Sequence, residues 1–274
     1  MSKKIGVALI IIVLTLLSAT SVLAAWGGEF DGNQHPMVGA LFFDFDQDGQ
    51  ITMFDLDCSG SYAGLSRDSQ NDVFLTAGHC LAFTPFLNYP TAYVSFDNDL
   101  TDGISGLIEA EAYTWHPEFG HDAGDLKDLG IVLLPAGSVS GIQPVVLPPA
   151  GYMDSLRKAA ALKDLDVEAV GYGVIPVWNQ PGGTQFDFTG LRNTAEVNVN
   201  GLNKSNVLYL QNAHATGDGG VCFGDSGSPQ IVAGTNMIIS ITSGGNGNCN
   251  ANNYNYRVDT PVAREFLGQF LALP

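Results

Sequence analysis

Cys222-Phe223-Gly224-Asp225-Ser226-Gly227-Ser228-Pro229 is the stretch on which the rest of the chain turns. A serine between glycines can be lifted on a sharp turn, so that its hydroxyl is exposed and neighbouring backbone N–H groups converge on one point. That is the geometry a nucleophile with an oxyanion hole requires. By itself the tetrapeptide Gly224-Asp225-Ser226-Gly227 is a hint, because small polar tetrapeptides also make ordinary turns. Two upstream segments, Thr76-Ala77-Gly78-His79-Cys80 and Asp128-Leu129-Gly130-Ile131-Val132-Leu133-Leu134, offer the base and the acid that such a serine needs.

A serine hydroxyl is a poor nucleophile at neutral pH. A neutral imidazole must take its proton, and a carboxylate must hold that imidazole in the right tautomer. His79, Asp128 and Ser226 carry those three groups. Asp122 and Asp125 are rivals for the acid, but they sit in a polar loop, whereas Asp128 runs straight into an apolar strand able to bury it against the histidine.

Outside this constellation the chain reads as short β-type runs: Val38–Phe45, Val73–Leu75, Ala92–Phe96, Leu129–Leu134, Val167–Val170, Val207–Leu210, Ile231–Val232 and Met237–Ile241. Turn residues separate them, with 33 glycines and 13 prolines to draw on. Such spacing predicts an antiparallel sandwich or barrel. One helix is expected at the C-terminus, capped by Thr260, with Pro261 in its first turn and Val262, Phe266, Leu267 and Phe270 at helical spacing. Pro148-Pro149-Ala150-Gly151 is the natural link between two halves.

The N-terminus reads differently. Lys3 and Lys4 precede an apolar run from Ile5 to Leu17, followed by small residues ending in Val22-Leu23-Ala24, which is the pattern of a secretory signal over 1–24. A membrane anchor is the alternative, and the run is short for a bilayer span of about 20 apolar residues. Cleavage after Ala24 removes two lysines and no acidic residue, so the formal charge of −17 becomes −19. That acidity excludes nucleic acid and anionic membrane surfaces as natural partners. Four cysteines in an exported chain suggest two disulfides, and by count alone three pairings are open.

The segments taken together resemble the trypsin/chymotrypsin family of serine endopeptidases. Thr76–Cys80 is similar to the family's Thr-Ala-Ala-His-Cys with Gly78 in place of the second alanine, and Asp128 opens an Asp-Leu-x-Ile-x-Leu-Leu strand. Gly224–Pro229 resembles Gly-Asp-Ser-Gly-Gly-Pro with Ser228 in place of a glycine. The order histidine, aspartate, serine matches too, and that order differs among unrelated triad folds. Weaker matches are His35–Leu41 for a first strand, Val170-Gly171-Tyr172-Gly173 for a strand end in the second half, and Ser243-Gly244-Gly245 for the substrate-aligning strand.

The resemblance implies an all-β fold of two antiparallel six-stranded β-barrels with a C-terminal helix. Residues 25–274 would form the protease domain, about 25–148 giving the first barrel and 149–274 the second barrel and helix. It implies disulfides Cys58–Cys80 and Cys222–Cys249, and a cleft in which Ser226 attacks, His79 shuttles the proton and Asp128 orients the imidazolium. The N–H groups of Gly224 and Ser226 would hold the oxyanion. Ser243, Gly244 and Gly245 would align substrate, with Ser243 beside Asp128 and Gly220 at the base of the specificity pocket.

The chain also departs from the family. No Ile-Val-Gly-Gly terminus or basic cut site precedes the domain, yet Ala25-Trp26-Gly27-Gly28 has two glycines in the same register, so signal cleavage itself would create an amine to pair with Asp225. Local packing of Trp26, with other donors to Asp225, is the alternative. Gly220 is not a carboxylate, Asp218 is close but displaced, and Asn253 or Asn255 would add polarity from the opposite wall. A preference that is not strictly basic follows. Asp44, Asp46, Asp48 and Asp55 around Gly49 follow the alternating-carboxylate pattern of a calcium loop, although flanking strands favour a tight acidic hairpin. No cofactor is otherwise expected, and His116, His121 and His214 are too scattered for a metal site. Asn203-Lys204-Ser205 is a glycosylation sequon where the host glycosylates.

The expected function is a secreted serine endopeptidase, extracellular or periplasmic, monomeric, acting on proteins or peptides through an acyl-enzyme. The rival is a catalytically inactive homologue serving as a binding module. An esterase on an α/β-hydrolase fold fits poorly, because the residue order is wrong and alternating helices are missing.

Overall fold

Short alternating runs cut by glycine and proline give many short strands and little helix. A computed structural model describes residues 28–87, 91–177, 180–210 and 219–274. The expected signal over 1–24, Ala25, His214 and Asp218 lie outside them. The strands are β1 (Glu29–Phe30), β2 (Val38–Phe42), β3 (Leu56–Leu65), β4 (Asn71–Thr76), β5 (Tyr93–Ser95), β6 (Ile108–Glu109), β7 (Ala112–Trp115), β8 (Gly130–Pro135), β9 (Val167–Gly171), β10 (Ile175–Val177), β11 (Gln185–Asp187), β12 (Asn193–Leu202), β13 (Asn206–Leu210), β14 (Pro229–Val232), β15 (Ile238–Gly245) and β16 (Asn253–Arg257). The helices are α1 (His79–Ala82), α2 (Tyr152–Lys158) and α3 (Pro261–Leu267). None of the described helices is long and apolar enough to cross a membrane.

The second half is a closed antiparallel barrel of six strands in the order β12-β13-β16-β15-β14-β9, sealed where β9 pairs back onto β12 from Gly171↔Asn193 to Val167↔Val197. The first half is a half-barrel sheet in the order β6-β5-β2-β3-β4-β8-β7. Its two end strands are consecutive in the chain. Between them Ala110 N–H bonds Ala92 O at 2.9 Å and Glu111 N–H bonds Leu133 O at 2.9 Å, so one bent segment steps from one edge of the sheet to the other. The expected six-stranded ring is thus hydrogen-bonded all round only in the second half.

The first strand and the last helix cross over. β1 pairs with β12 of the second barrel, although its residues fall in the first half by sequence. Helix α3 starts as the sequence predicts, with Thr260 Oγ1 accepting from Ala263 N–H at 3.1 Å and Pro261 in its first turn. It packs on the first half: the Phe266 ring lies 5.2 Å from His116, and Phe270 O accepts from Arg67 N–H at 2.8 Å. Buried Phe266, Leu267 and Leu271 join the same apolar cluster as Val38, Phe74 and Ile131.

Eight strands escape a reading by apolar runs: β1, β6, β7, β10 and β11, which are short, and the longer β3, β12 and β16. β3 is Leu-Asp-Cys-Ser-Gly-Ser-Tyr-Ala-Gly-Leu, whose centre is buried through small residues and not through large apolar ones. β12 alternates buried Ala195, Val197 and Val199 with exposed Glu196, Asn198 and Asn200, and β16 buries Asn253 and Asn255. Helix α2 also lies outside the elements expected from the sequence. It is held by Asp259, whose Oδ2 accepts from Met153 N–H at 2.8 Å across the fold, so its cap lies a hundred residues away in sequence.

Candidate active site

Strand β4 ends at Thr76, pairs with Gly130 of β8, and the chain then turns through Ala77-Gly78 into α1. A Cβ on Gly78 would meet Leu129 O at 3.1 Å and Asp128 Oδ1 at 3.3 Å. This small residue therefore lets the two backbones approach until one carboxylate grips both ends of the histidine. Asp128 Oδ1 accepts from the His79 backbone N–H at 2.8 Å and Oδ2 pairs with His79 Nδ1 at 2.9 Å. Ser243 Oγ donates to the same Oδ2. Asp128 is 1% exposed, so these bonds lie in a low-dielectric setting where they count for more than in water.

Burial of the imidazole opposes its protonation, yet the hydrogen bond and charge of Asp128, with the charge of Asp57, prevail and hold the His79 pKa above 6.5. The rivals are elsewhere. Asp122 caps its own loop at Gly124 N–H, 2.8 Å, and Asp125 is buried, not solvated as the sequence suggested, accepting from the Tyr256 hydroxyl at 2.8 Å.

The serine comes from the second half. Asp225 N–H bonds Cys222 O at 3.1 Å and Ser228 N–H bonds Asp225 O at 2.8 Å, which folds residues 222–228 into a tight reversal. Gly224 has φ +94° and Gly227 φ +78°, a region that favours glycine. A Cβ on Gly227 would meet Thr76 Oγ1 at 2.1 Å and Ser59 O at 2.6 Å, so the turn is pressed directly against the first half. Ser59 makes the seam: its N–H bonds Ser226 O at 2.8 Å and its Oγ bonds Gly224 O at 2.8 Å. Among the described residues the N–H groups of Gly224 and Ser226 donate to nothing, and no hydrogen bond joins Ser226 Oγ to His79. In unliganded sites such contacts commonly tighten only with substrate.

Asp225 is buried, and burial lifts its pKa to about 6 even though Cys222 and Gly173 N–H groups bond it at 2.9 and 2.8 Å. A Cβ on Gly173 would meet Asp225 Oδ2 at 2.1 Å, which gives the Gly171-Tyr172-Gly173 segment its physical reason. The proposed partner amine, that of Ala25, is outside the described residues.

The disulfides join Cys58 to Cys80, tying β3 to α1, and Cys222 to Cys249, tying the serine turn to the loop after β15. Beside Ser226 lies a cavity of about 190 Å³ lined by Val221, Phe223, Thr242, Gly244, Gly245 and Tyr254 among others. Among the described residues no carboxylate lines it. Gly220 is buried next to Val221 but is not part of the lining, and Asn253 and Asn255 are buried against each other while Tyr254 faces the cavity. Ser59, Phe223 and Tyr254 were not singled out from the sequence. Only the position of Ser59 next to a disulfide cysteine could have signalled it.

A closed six-stranded barrel beside a half-barrel sheet, with a histidine–aspartate pair on one and a serine turn on the other, defines the chymotrypsin-like class. The family model described as Trypsin matches residues 50–267, and the chain belongs to that family. Solved structures agree on the fold. HL collagenase superposes with a TM-score of 0.62 at 18% identity, covering 90% of this chain and 97% of its own. Human heparin binding protein gives 0.60 at 16% identity over 89% and 95%, and the VesB protease of Vibrio cholerae 0.60 at 20% identity over 88% and 65%. No curated protein matches the chain in sequence.

Proposed function

We propose that the chain is a secreted serine endopeptidase in which Ser226 is the nucleophile, His79 the general base and acid, and Asp128 the orienting carboxylate. The observation that carries this reading is the double grip of Asp128 on His79 N–H and Nδ1, which leaves Nε2 as the free ring nitrogen. Ser226 Oγ adds to the substrate carbonyl as its proton passes to Nε2. The oxyanion forms against the unengaged N–H groups of Gly224 and Ser226, where one lost donor costs about 10²–10³ in rate. Collapse breaks the C–N bond as His79 returns the proton to the leaving amine, and water then cleaves the acyl-enzyme by the same path in reverse. Ser243, Gly244 and Gly245 align the acyl half, and the cavity beside them suits a large apolar or aromatic side chain. Export is supported by the N-terminal pattern and by two disulfides, which persist in oxidising compartments.

The second reading, an inactive homologue that binds a partner, has a binding protein among its fold neighbours by name, human heparin binding protein. A formal charge of −17 repels a polyanion, and every group of the proposed triad is present. A fluorophosphonate probe separates the two. The processed protein is expected to label at Ser226, and Ser226→Ala and His79→Ala to abolish labelling. An unlabelled wild type would favour the binding module.

We also propose that the loop between β2 and β3 holds a structural calcium ion. It is a long loop and not the tight hairpin expected from its flanks. Carboxylate oxygens of Asp44, Asp46 and Asp55 lie within 4.8 Å of one another, while Asp44 bonds the N–H groups of Asp48 and Gly49 at 3.2 and 3.0 Å. Asp48, expected among the ligands, bonds Gln50 N–H at 2.7 Å instead. Calcium at about 100 times its Kd should stabilise the fold by roughly 2.7 kcal/mol. A melting curve in calcium against chelator reads this directly, and equal Tm values discard the site.

A further inference from the structure

After β15 the chain turns through Asn246-Gly247-Asn248-Cys249, closed by Cys249 N–H on Asn246 O at 2.9 Å and tied by the disulfide to Cys222. Asn246 lines the cavity beside Ser226, together with Gly244, Gly245 and Tyr254. Its amide is half-buried and engaged at both ends. Oδ1 accepts from Asn250 N–H at 3.1 Å and Ala251 N–H at 2.9 Å, and Nδ2 donates to Asn250 Oδ1 at 2.8 Å. Gly247, next in the chain, is exposed, and a Cβ placed on it would touch nothing within 4 Å. Among the described residues its N–H donates to nothing.

An asparagine followed by glycine carries its own nucleophile. The next backbone nitrogen can add to the side-chain carbonyl carbon, and glycine, with no Cβ, has the freedom to swing that nitrogen inward. The fold supplies what the step needs on both sides. The Gly247 nitrogen is unengaged, while two N–H groups sit on Asn246 Oδ1, where they draw electrons from Cγ and stabilise negative charge as it builds on that oxygen. The chain's other Asn-Gly pair, Asn200-Gly201, lies inside β12, where the pairing of Gly201 with Leu208 of β13 fixes the backbone. There the nitrogen is not free to turn.

We propose that Asn246 is a site of spontaneous deamidation that puts a carboxylate on the wall of the cavity beside Ser226. The Gly247 nitrogen bonds to Asn246 Cγ, the Cγ–Nδ2 bond breaks, and ammonia leaves with the proton that Gly247 gives up, closing a five-membered imide. Water then adds to one imide carbonyl and the ring C–N bond breaks. Opening at Cγ leaves an aspartate side chain, and opening at the backbone carbonyl reroutes the chain through the side chain. Either way a carboxylate replaces the amide, with no oxidant, cofactor or second protein. The Asn250 and Ala251 N–H groups are placed to bond that carboxylate more strongly than they bond the amide. A cavity lined by no carboxylate among the described residues thereby gains one, and with it a preference for Lys or Arg before the cut. That change of preference rests on the protease reading above, and the modification does not.

The test is peptide mapping of the processed Ser226→Ala protein, which lacks the proposed nucleophile and is spared self-digestion, after days in mildly alkaline buffer. The peptide carrying Asn246 should gain one mass unit, NH2 giving way to OH, ahead of the peptide carrying Asn200. Gly247→Ala, at an exposed position without positive φ, should slow the gain several-fold. No gain at Asn246, or an equally fast one in Gly247→Ala, overturns the site. Activity is the second arm. Asn246→Asp in the otherwise unaltered chain should raise kcat/KM for Arg against Phe before the cut by about 5-fold, the worth of one half-exposed ion pair. An unchanged ratio overturns the change of preference and leaves the modification standing. Absence of both cleavage and fluorophosphonate labelling overturns the protease reading, and the mass gain still decides the site.

Discussion

Asp128→Asn is expected to lower kcat by about 10⁴-fold, the loss the same change produces in trypsin itself. The cause here lies in three hydrogen bonds. Asp128 accepts from His79 N–H, His79 Nδ1 and Ser243 Oγ, so an amide in its place must present an N–H to at least one donor and turns the ring to the wrong tautomer. The pH profile gives a second readout. The proposed mechanism needs the neutral imidazole, and the His79 pKa is raised above the ordinary 6.5, so the acid limb of kcat/KM should lie above 6.5 in the wild type. Removing the carboxylate charge should move that limb downward. Stability has the opposite sign. A raised histidine pKa stabilises the fold fully below 6.5, and that contribution fades as pH rises through the folded value. A variant that loses less than tenfold in kcat, or keeps the same acid limb, would remove Asp128 from the proposed triad.

Arg192→Leu should cost about 3–5 kcal/mol of stability, the usual effect of breaking a buried ion pair from one side. Arg192 is fully buried at the junction of the two halves. Its Nε bonds Asp31 Oδ2 at 3.0 Å, and its terminal nitrogens bond Val38 O at 2.9 Å, Phe96 O at 3.1 Å and Asn33 Oδ1 at 2.8 Å. The substitution strands Asp31, also fully buried, as a charge whose remaining partner is His35. Burial raises the Asp31 pKa, but the His35 bonds and the Arg192 charge outweigh it and hold it below 3.8. A depressed carboxylate pKa stabilises the fold above 3.8, and this is lost as pH falls through the folded value. The cost of Arg192→Leu should therefore be greatest at neutral pH and shrink in acid, where Asp31 takes up a proton. Denaturant titration measures it. Asp31→Leu combined with Arg192→Leu should recover part of the loss, because the lone charge is gone. A single-variant cost under about 1 kcal/mol would show that the network is not what joins the halves.

Much of the candidate site is legible in the sequence because the chemistry proposed for it is local. His79, Asp128 and Ser226 each sit in a short segment whose neighbours serve the same turn or strand: Gly78 for close approach, the apolar run after Asp128 for burial, Gly224 and Gly227 for positive φ. The pairing Cys58–Cys80 and Cys222–Cys249 was legible only through the family resemblance, since four cysteines do not choose among three pairings. Strands rich in large apolar residues were legible too. β3 and β16 were not, because their inward faces carry serine, glycine and asparagine, whose burial is set by what the fold lays over them, the Ser226 turn over Ser59 among it, and not by their own polarity.

By itself, then, the order of residues determined an all-β chain with histidine, aspartate and serine in that sequence and with cysteines enough to brace them. Proximity was left to the tertiary structure. Only the folded chain could bring Ser59 of one half under the Ser226 turn of the other, send β1 to the second barrel and α3 to the first, and close Arg192 over Asp31. The physical reason is that segment chemistry is carried by neighbours along the chain, whereas burial and seams are set by partners more than a hundred residues away.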